Sequence, residues 1–171
     1  GAYFTRPLRL ADVGPSYLGG PGSGGTPPAA APVLNPATAV SATRVDLRWT
    51  NNATNATGIR IFRCTGASCA LSVSIATLGP SETIYSDISV VGSTTYGYRV
   101  EAFNSTGVED SNTIYATTLP PAPTGLTASA ASDKINLSWT GSSGATSYNV
   151  YRGMTTGGEG ATPIATNVIT T

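Results

Sequence analysis

The sequence predicts an all-β protein built on an immunoglobulin-like β-sandwich, and three observations support this fold class. First, residues 45–50 recur as residues 135–140, so that Trp49 and Trp139 lie roughly 90 residues apart, which suits one small sandwich per repeat. Second, apolar and polar residues alternate in short segments, as they do in strands with one buried face. Third, 20 glycines and 12 prolines interrupt a chain that is poor in strong helix formers.

The composition excludes several classes of function. Nine Lys and Arg residues balance nine Asp and Glu residues, and charged residues make up only 11% of the 171, against about a quarter in an average globular protein. Such a chain has no electrostatic basis for binding nucleic acid or anionic membranes. It contains no histidine, which is the commonest general base and zinc ligand, and no apolar run long enough to span a bilayer. We therefore expect no catalytic residue, no metal, no cofactor, no nucleic-acid partner and no membrane insertion.

Residues 1–30 differ from the rest of the chain and are predicted to form an extended arm followed by a Gly/Pro-rich linker. The large apolar side chains of the arm are Tyr3, Phe4, Leu8, Leu10 and Val13. Their weak alternation suits a strand that adds to the sheet edge of a neighbouring molecule. A disordered terminus, or the end of a preceding domain, is the alternative interpretation.

From residue 31 to residue 119 the pattern predicts one complete sandwich of about seven strands. The predicted strands cover residues 33–40, 45–50, 59–62, 73–77, 83–86, 96–102 and 113–118. The first is an edge strand because Pro36 interrupts it. Ile84 is expected to point inward, and residues 104–111 are expected to form a polar loop. The alternation places Tyr96, Tyr98 and Val100 on one face of the longest strand.

Cys64 and Cys69 are the only cysteines, and they flank a turn-like stretch, Thr-Gly-Ala-Ser. Two cysteines cannot complete a tetrahedral metal site, and C-x4-C is not a redox motif. We predict a local disulfide that closes a hairpin, worth about 2 kcal/mol for so short a loop. This disulfide implies an oxidising compartment, either extracellular, at the cell surface or periplasmic. A pair of reduced thiols on an exposed loop is the alternative.

The segment Leu-Pro-Pro-Ala-Pro at residues 119–123 marks the boundary between two repeats and predicts a short, stiff spacer. Residues 120–171 then form a partial second repeat, with predicted strands at 126–128, 135–139, 148–152 and 162–166. This repeat has no counterpart of residues 96–118, so its core residues lack a facing layer. We expect residues beyond Thr171, or a partner chain that supplies the missing strands.

The residue pattern of both repeats resembles the fibronectin type III domain, in the form found in secreted bacterial proteins. The matching segments are Ile-Phe-Arg at 61–63 and Val-Tyr-Arg at 150–152, Ile-Ala-Thr at 75–77 and 164–166, Asp87, Val90, Thr-Tyr-Gly-Tyr-Arg-Val-Glu-Ala-Phe-Asn at 95–104, Ser-Asn-Thr at 111–113 and Ala-Thr-Thr-Leu-Pro at 116–120. The resemblance covers residues 31–120 fully and 121–171 in part. Val90 replaces the usual Leu, and Gly92 stands where Pro is common.

The resemblance implies structural roles for three aromatic residues. Trp49 and Trp139 stand where the family places its core tryptophan. Tyr96 stands where the family has a corner tyrosine, whose hydroxyl forms a hydrogen bond with the backbone. None of these roles is catalytic.

Other candidate sites are weaker. Asn52, Asn55 and Asn104 begin Asn-x-Ser/Thr sequons in predicted loops, so they are possible glycosylation sites. The acidic pair Glu109-Asp110 is expected to be solvated, with a weak calcium or partner contact as the alternative. Carbohydrate contact through aromatic residues remains possible, although alternation places most of these residues in the core.

These observations predict a non-catalytic extracellular structural or adhesion protein whose tandem modules act as a spacer or assembly unit. Its partners would be proteins, including copies of itself in a surface filament or larger complex. The alternative is an accessory linker module of a secreted carbohydrate-active enzyme.

Overall fold

The computed structural model describes residues 25–169, and this part of the chain contains thirteen antiparallel strands and no helix. Accordingly, no membrane-spanning helix is found within the described range. The predicted arm residues Tyr3, Phe4, Leu8, Leu10 and Val13 lie outside that range. The strands are β1 (Val33–Leu34), β2 (Thr38–Ser41), β3 (Arg44–Thr50), β4 (Gly58–Thr65), β5 (Val73–Leu78), β6 (Ile84–Asp87), β7 (Thr95–Asn104), β8 (Gly107–Asp110), β9 (Ile114–Thr117), β10 (Thr124–Ala130), β11 (Ile135–Thr140), β12 (Tyr148–Val150) and β13 (Ala165–Val168).

Two sheets form the first repeat. In the first sheet, β3 pairs with β1 and β2 and also with β6. In the second sheet the order is β5-β4-β7, and both β8 and β9 pair with β7. The eight-residue register between β4 and β7, from Gly58–Phe103 to Thr65–Tyr96, makes this pair the centre of the second sheet.

The core lies between these two sheets because alternate residues of the strands point toward it. The buried apolar residues are Leu34, Val45, Leu47, Trp49, Ala53, Ile59, Ile61, Val90, Tyr96, Tyr98, Val100, Ala102 and Ala116. Trp49 is 3% exposed, and Val45, Ile59, Tyr98 and Val100 are fully buried. The predicted all-β immunoglobulin-like sandwich is confirmed.

Two details of the predicted first repeat are wrong. Ile84 is 55% exposed and does not point inward, because Asp87 is fully buried and sets the opposite phase for β6. The segment predicted as a polar loop, residues 104–111, contains β8, which forms a tight hairpin with the end of β7. Pro36 splits the predicted first strand into β1 and β2. This split and the additional strand β8 account for the nine strands of the repeat, where about seven were predicted.

The second repeat is more open than the first. Strand β10 pairs with β11, and β12 pairs with β13, in two separate two-stranded sheets. Leu126 is 69% exposed and Ile135 is 65% exposed. Trp139 is half-buried and contacts Tyr148 edge-on, with 5.5 Å between the ring centroids. Its apolar face is therefore only partly covered within the described part of the chain.

Candidate functional site

A buried carboxylate, Asp87 at the end of β6, lies at the centre of the polar interactions inside the first repeat. Its Oδ2 accepts hydrogen bonds from Arg63 Nη1 at 2.8 Å and from the Tyr98 hydroxyl at 3.0 Å. Its Oδ1 accepts from the backbone N–H of Ser89 at 3.0 Å and from the Ser89 hydroxyl at 2.8 Å. All four donors converge on one carboxylate, which ties β6 to β4 and β7. This arrangement is structural, because it leaves Asp87 no exposed surface.

The same contacts shift the pKa values of Asp87 and Tyr98 in opposite directions. Burial alone would raise the pKa of Asp87, but the donors from Ser89, Arg63 and Tyr98 outweigh it, so the pKa lies below its ordinary value of 3.8. Burial, together with the neighbouring charge of Asp87, raises the pKa of Tyr98 well above its ordinary value. The tyrosine therefore remains a neutral hydrogen-bond donor, and the aspartate remains ionised.

The lowered pKa of Asp87 predicts a specific acid sensitivity. A group with a depressed folded-state pKa contributes stability above its unfolded pKa, and this stability is lost as the pH falls through the folded value. We expect the urea midpoint of the first repeat to drop as the pH falls below about 4, the ordinary pKa of an aspartate. The variant Asp87→Asn cannot titrate, so its midpoint should depend less on pH over that range. If the urea midpoint changed with pH equally in the wild type and in Asp87→Asn, Asp87 would not be the group responsible for the acid sensitivity.

Tyr96 has the geometry of a corner tyrosine. Its hydroxyl oxygen accepts a hydrogen bond from the backbone N–H of Val91 at 3.0 Å, five residues earlier in the chain. The ring is buried, and the guanidinium of Arg63 lies 5.3 Å from its centroid. Tyr96 therefore fixes the turn that leads into β7, and its hydroxyl is engaged by the backbone rather than open to a substrate.

Cys64 and Cys69 form a disulfide, with 5.7 Å between their Cα atoms. The turn that they enclose is anchored to β7 because the N–H of Gly66 donates to the carbonyl of Thr95 at 2.8 Å. A Cβ at Gly97 would lie 2.8 Å from the Tyr115 ring and 3.0 Å from the Cys64 sulfur, so a larger residue would have to displace its neighbours. The disulfide thus closes the turn that follows β4 and leads toward β5.

Arginine side chains engage the aromatic rings on the outer face of the second sheet. The guanidinium of Arg99 lies 4.5 Å from the ring centroid of Phe62, and that of Arg60 lies 4.1 Å from the centroid of Phe103. Ion pairs hold both arginines, since Arg60 contacts Glu101 at 2.6 Å and Arg99 contacts Asp110 at 2.9 Å. The rings are therefore part of a cation–π and ion-pair network and do not form an open aromatic platform for sugars.

The acidic pair before β9 is divided between two environments. Asp110 forms the ion pair with Arg99, while Glu109 is half-buried opposite Ala102 in the β7–β8 hairpin. Across residues 25–169, no group of three or more His, Cys, Asp or Glu residues is arranged to hold a metal ion.

All three sequon asparagines in predicted loops lie at one end of the first sandwich, beside residues 26–31. The side-chain nitrogen of Asn52 donates to the carbonyl of Ala31 at 3.1 Å. Those of Asn55 and Asn104 donate to carbonyls of Pro27 and Thr26. The end of the predicted linker therefore contacts the folded repeat. The sequence indicated these asparagines only as sequons.

A second junction lies at the Pro-rich boundary between the repeats. The backbone N–H of Ser93 donates to the carbonyl of Leu119 at 3.1 Å, and its hydroxyl donates to the carbonyl of Ser143 at 2.6 Å. Pro121 packs against Gly92, where an added Cβ would lie 2.8 Å from the proline ring. The absence of a side chain at Gly92, where the fibronectin type III pattern commonly has proline, is what allows this close approach. Sequence reasoning missed Ser93 because no local pattern marks it.

Comparison with known proteins identifies the fold but not an activity. The fibronectin type III domain of human contactin 1 matches with a TM-score of 0.51 and 19% identity, over 59% of this chain and 87% of that domain. The chain contains a fibronectin type III-like sandwich. No protein-family model matches the chain, and neither does any curated protein sequence.

Two further solved structures align with shorter parts of larger proteins. The fibronectin domains 1–3 of chicken contactin 1 match with a TM-score of 0.49 and 21% identity, over 54% of this chain and 33% of that one. A β-1,2-glucanase from Parabacteroides distasonis matches with a TM-score of 0.47 and 25% identity, over 57% of this chain and 14% of the glucanase. The chain therefore spans a small part of either protein, and the fibronectin type III-like sandwich is what the comparisons establish.

Proposed function

We propose that this chain is a non-catalytic, extracytoplasmic structural protein whose fibronectin type III-like modules act as a spacer or assembly unit. The observation that carries this proposal is the junction at residues 119–123. Prolines restrict this segment to extended conformations. The contacts of Ser93 with Leu119 and Ser143 hold the second repeat against the first. A spacer requires a fixed distance and direction between modules, and the hydrogen bond from Ser93 to Ser143, together with the stiff proline segment, supports that role.

The disulfide supports the proposed compartment. Cys64 and Cys69 are bonded to each other, and such bonds persist in oxidising environments outside the cytosol. The chain uses its charged residues for internal pairs, such as Arg63 with Asp87 and Arg99 with Asp110, which is consistent with a structural role. We propose an extracellular or cell-surface location, with protein partners that include copies of the chain itself.

Small-angle X-ray scattering tests the spacer function. We expect the wild-type chain to give a narrow distance distribution with a well-defined maximum dimension, because the junction is both stiff and packed. Replacing Pro120 and Pro121 together with glycine should broaden the distance distribution and increase the maximum dimension. The variant Pro80→Gly, in an exposed turn of the first repeat, is the matched control and should scatter like the wild type. Free movement of the repeats in the wild-type protein would refute the spacer function.

The assembly role and the lack of catalysis have separate tests. Sedimentation velocity over a range of concentrations should detect self-association of the intact chain, and a monomer throughout would remove the self-assembly version of the proposal. Robust turnover of a polysaccharide or peptide substrate by the purified chain would overturn the non-catalytic assignment.

A further inference from the structure

The segment of residues 26–31 lies between two loops at one end of the first sandwich. One loop joins β3 to β4 and contains Asn55, and the other is the β7–β8 turn, which begins at Asn104. These asparagines are 49 residues apart in the chain, yet the Asn104 side chain donates to the carbonyl of Asn55 at 3.3 Å. The two loops together form a polar socket.

Asn55 binds the segment with both ends of its side-chain amide. Its Oδ1 accepts a hydrogen bond from the backbone N–H of Ala29 at 2.7 Å. Its Nδ2 donates to the carbonyl of Pro27 at 3.0 Å and to that of Thr26 at 3.3 Å. One side chain thus satisfies a donor and two acceptors on a stretch of only four residues.

Asn104 presents its amide nitrogen to the same segment in a fixed orientation. Its Oδ1 accepts from the backbone N–H groups of Thr106 at 2.9 Å and Gly107 at 3.1 Å, which closes the β7–β8 turn. This leaves Nδ2 pointing at the segment, where it donates to the carbonyl of Thr26 at 2.8 Å. The turn therefore preorganises the donor.

The chemistry of the segment complements the socket. Pro27 and Pro28 have no N–H, so they present backbone acceptors, while an asparagine amide supplies two donors. Pro28 is buried. Pro27 lies against Gly107, where an added Cβ would come within 3.1 Å of the proline Cβ. The socket thus combines apolar contact for proline rings with donors for the carbonyls beside them.

We propose that Asn55 and Asn104 form a binding site for a proline-rich peptide. In this chain the site is occupied by residues 26–29, which it fixes against the first repeat. Their Nδ2 atoms serve as docking donors rather than as attachment points for glycans. A glycan on either nitrogen would replace one of its two N–H donors and displace the segment. The loop of the second repeat that follows its tryptophan reads Gly-Ser-Ser-Gly-Ala at 141–145 and has no asparagine, so the site is specific to the first repeat.

The exchange rate of the Ala29 backbone N–H shows directly whether residues 26–29 are bound at this site. Amide hydrogen exchange, measured by NMR on the full 171-residue chain, should show that this proton is protected in the wild type. The variant Asn55→Ala removes its acceptor and two donors to the neighbouring carbonyls, so exchange at Ala29 should accelerate about tenfold or more. The Val100 amide, which is bonded in the core, should stay protected and serves as the reporter of folding.

The matched control is Asn136→Ala. Asn136 begins another sequon, Asn-Leu-Ser, and is exposed on β11 of the second repeat, so its removal should leave Ala29 protected. If Asn55→Ala also exposes Val100, the variant Asn55→Leu replaces it, because leucine is close to asparagine in volume but can neither accept from the Ala29 N–H nor donate to the carbonyls of Thr26 and Pro27. Wild-type exchange of Ala29 at the unfolded rate would overturn the proposal. So would a rate at Ala29 that stays unchanged in a folded Asn55 variant.

Discussion

Replacing Trp49 with alanine is expected to lower the free energy of unfolding of the first repeat by about 3–5 kcal/mol. The side chain is 3% exposed and belongs to the cluster of buried residues between the two sheets. Its removal leaves a cavity that strands on both sides cannot fill without moving. Urea denaturation followed by far-ultraviolet circular dichroism measures the loss.

Two variants separate packing from other effects of this substitution. Among residues 25–169 the indole N–H of Trp49 has no hydrogen-bond partner, so Trp49→Phe loses no polar contact there and should retain much of the stability. Trp139→Ala removes a half-buried ring from the second repeat and should leave the unfolding of the first repeat nearly unchanged. A loss below about 1 kcal/mol in Trp49→Ala would show that the ring does not organise the core.

The variant Asp87→Ala should destabilise the first repeat by about 3–5 kcal/mol at neutral pH. It leaves the partly buried guanidinium of Arg63 without its carboxylate partner and removes the acceptor of the Tyr98 hydroxyl inside the core. Breaking a buried pair on one side is costly because the remaining charge has no compensation. Thermal unfolding at neutral pH, compared with the wild type, measures the effect.

The exposed pair of Arg44 and Asp46 provides the control for Asp87. Its nitrogen and oxygen lie 2.7 Å apart, a distance similar to that in the Arg63–Asp87 pair, but solvent reaches both side chains. Asp46→Ala should therefore leave the unfolding temperature almost unchanged. Similar losses in the two variants would mean that burial is not what makes the Asp87 interaction strong.

The part of the fold that local alternation specifies could be predicted from the sequence. Val45, Leu47 and Trp49 are separated by polar residues, and this period of two places all three in the core. The same reasoning failed for β6, where Ile84 and Tyr85 are adjacent and either phase buries one apolar side chain. The ion pair with Arg63 turns Asp87 inward, and this determines which side chains of β6 face the core. Arg63 is distant in the sequence, so no local pattern contains that interaction.

The candidate sites depend on contacts between distant segments, so they were harder to predict. Asn55 and Asn104 were identified by the glycosylation motif, which says nothing of where their amides point. Their shared contact with Thr26 appears only when two loops and an incoming segment meet at one end of the sandwich. The Gly92–Pro121 contact is likewise invisible in either segment alone.

The pairing of β4 with β7 determines when the first repeat can form during synthesis. Gly58 pairs with Phe103, and the Leu34 amide donates to the side chain of Asn112, which lies 78 residues later. Closing such long loops costs entropy before any contact compensates for it, and sandwiches of this kind fold in about milliseconds to seconds. A ribosome must therefore release most of the repeat before its central strands can meet. The β10–β11 hairpin, whose closest pair is Ala130 with Ile135, can form as soon as it emerges.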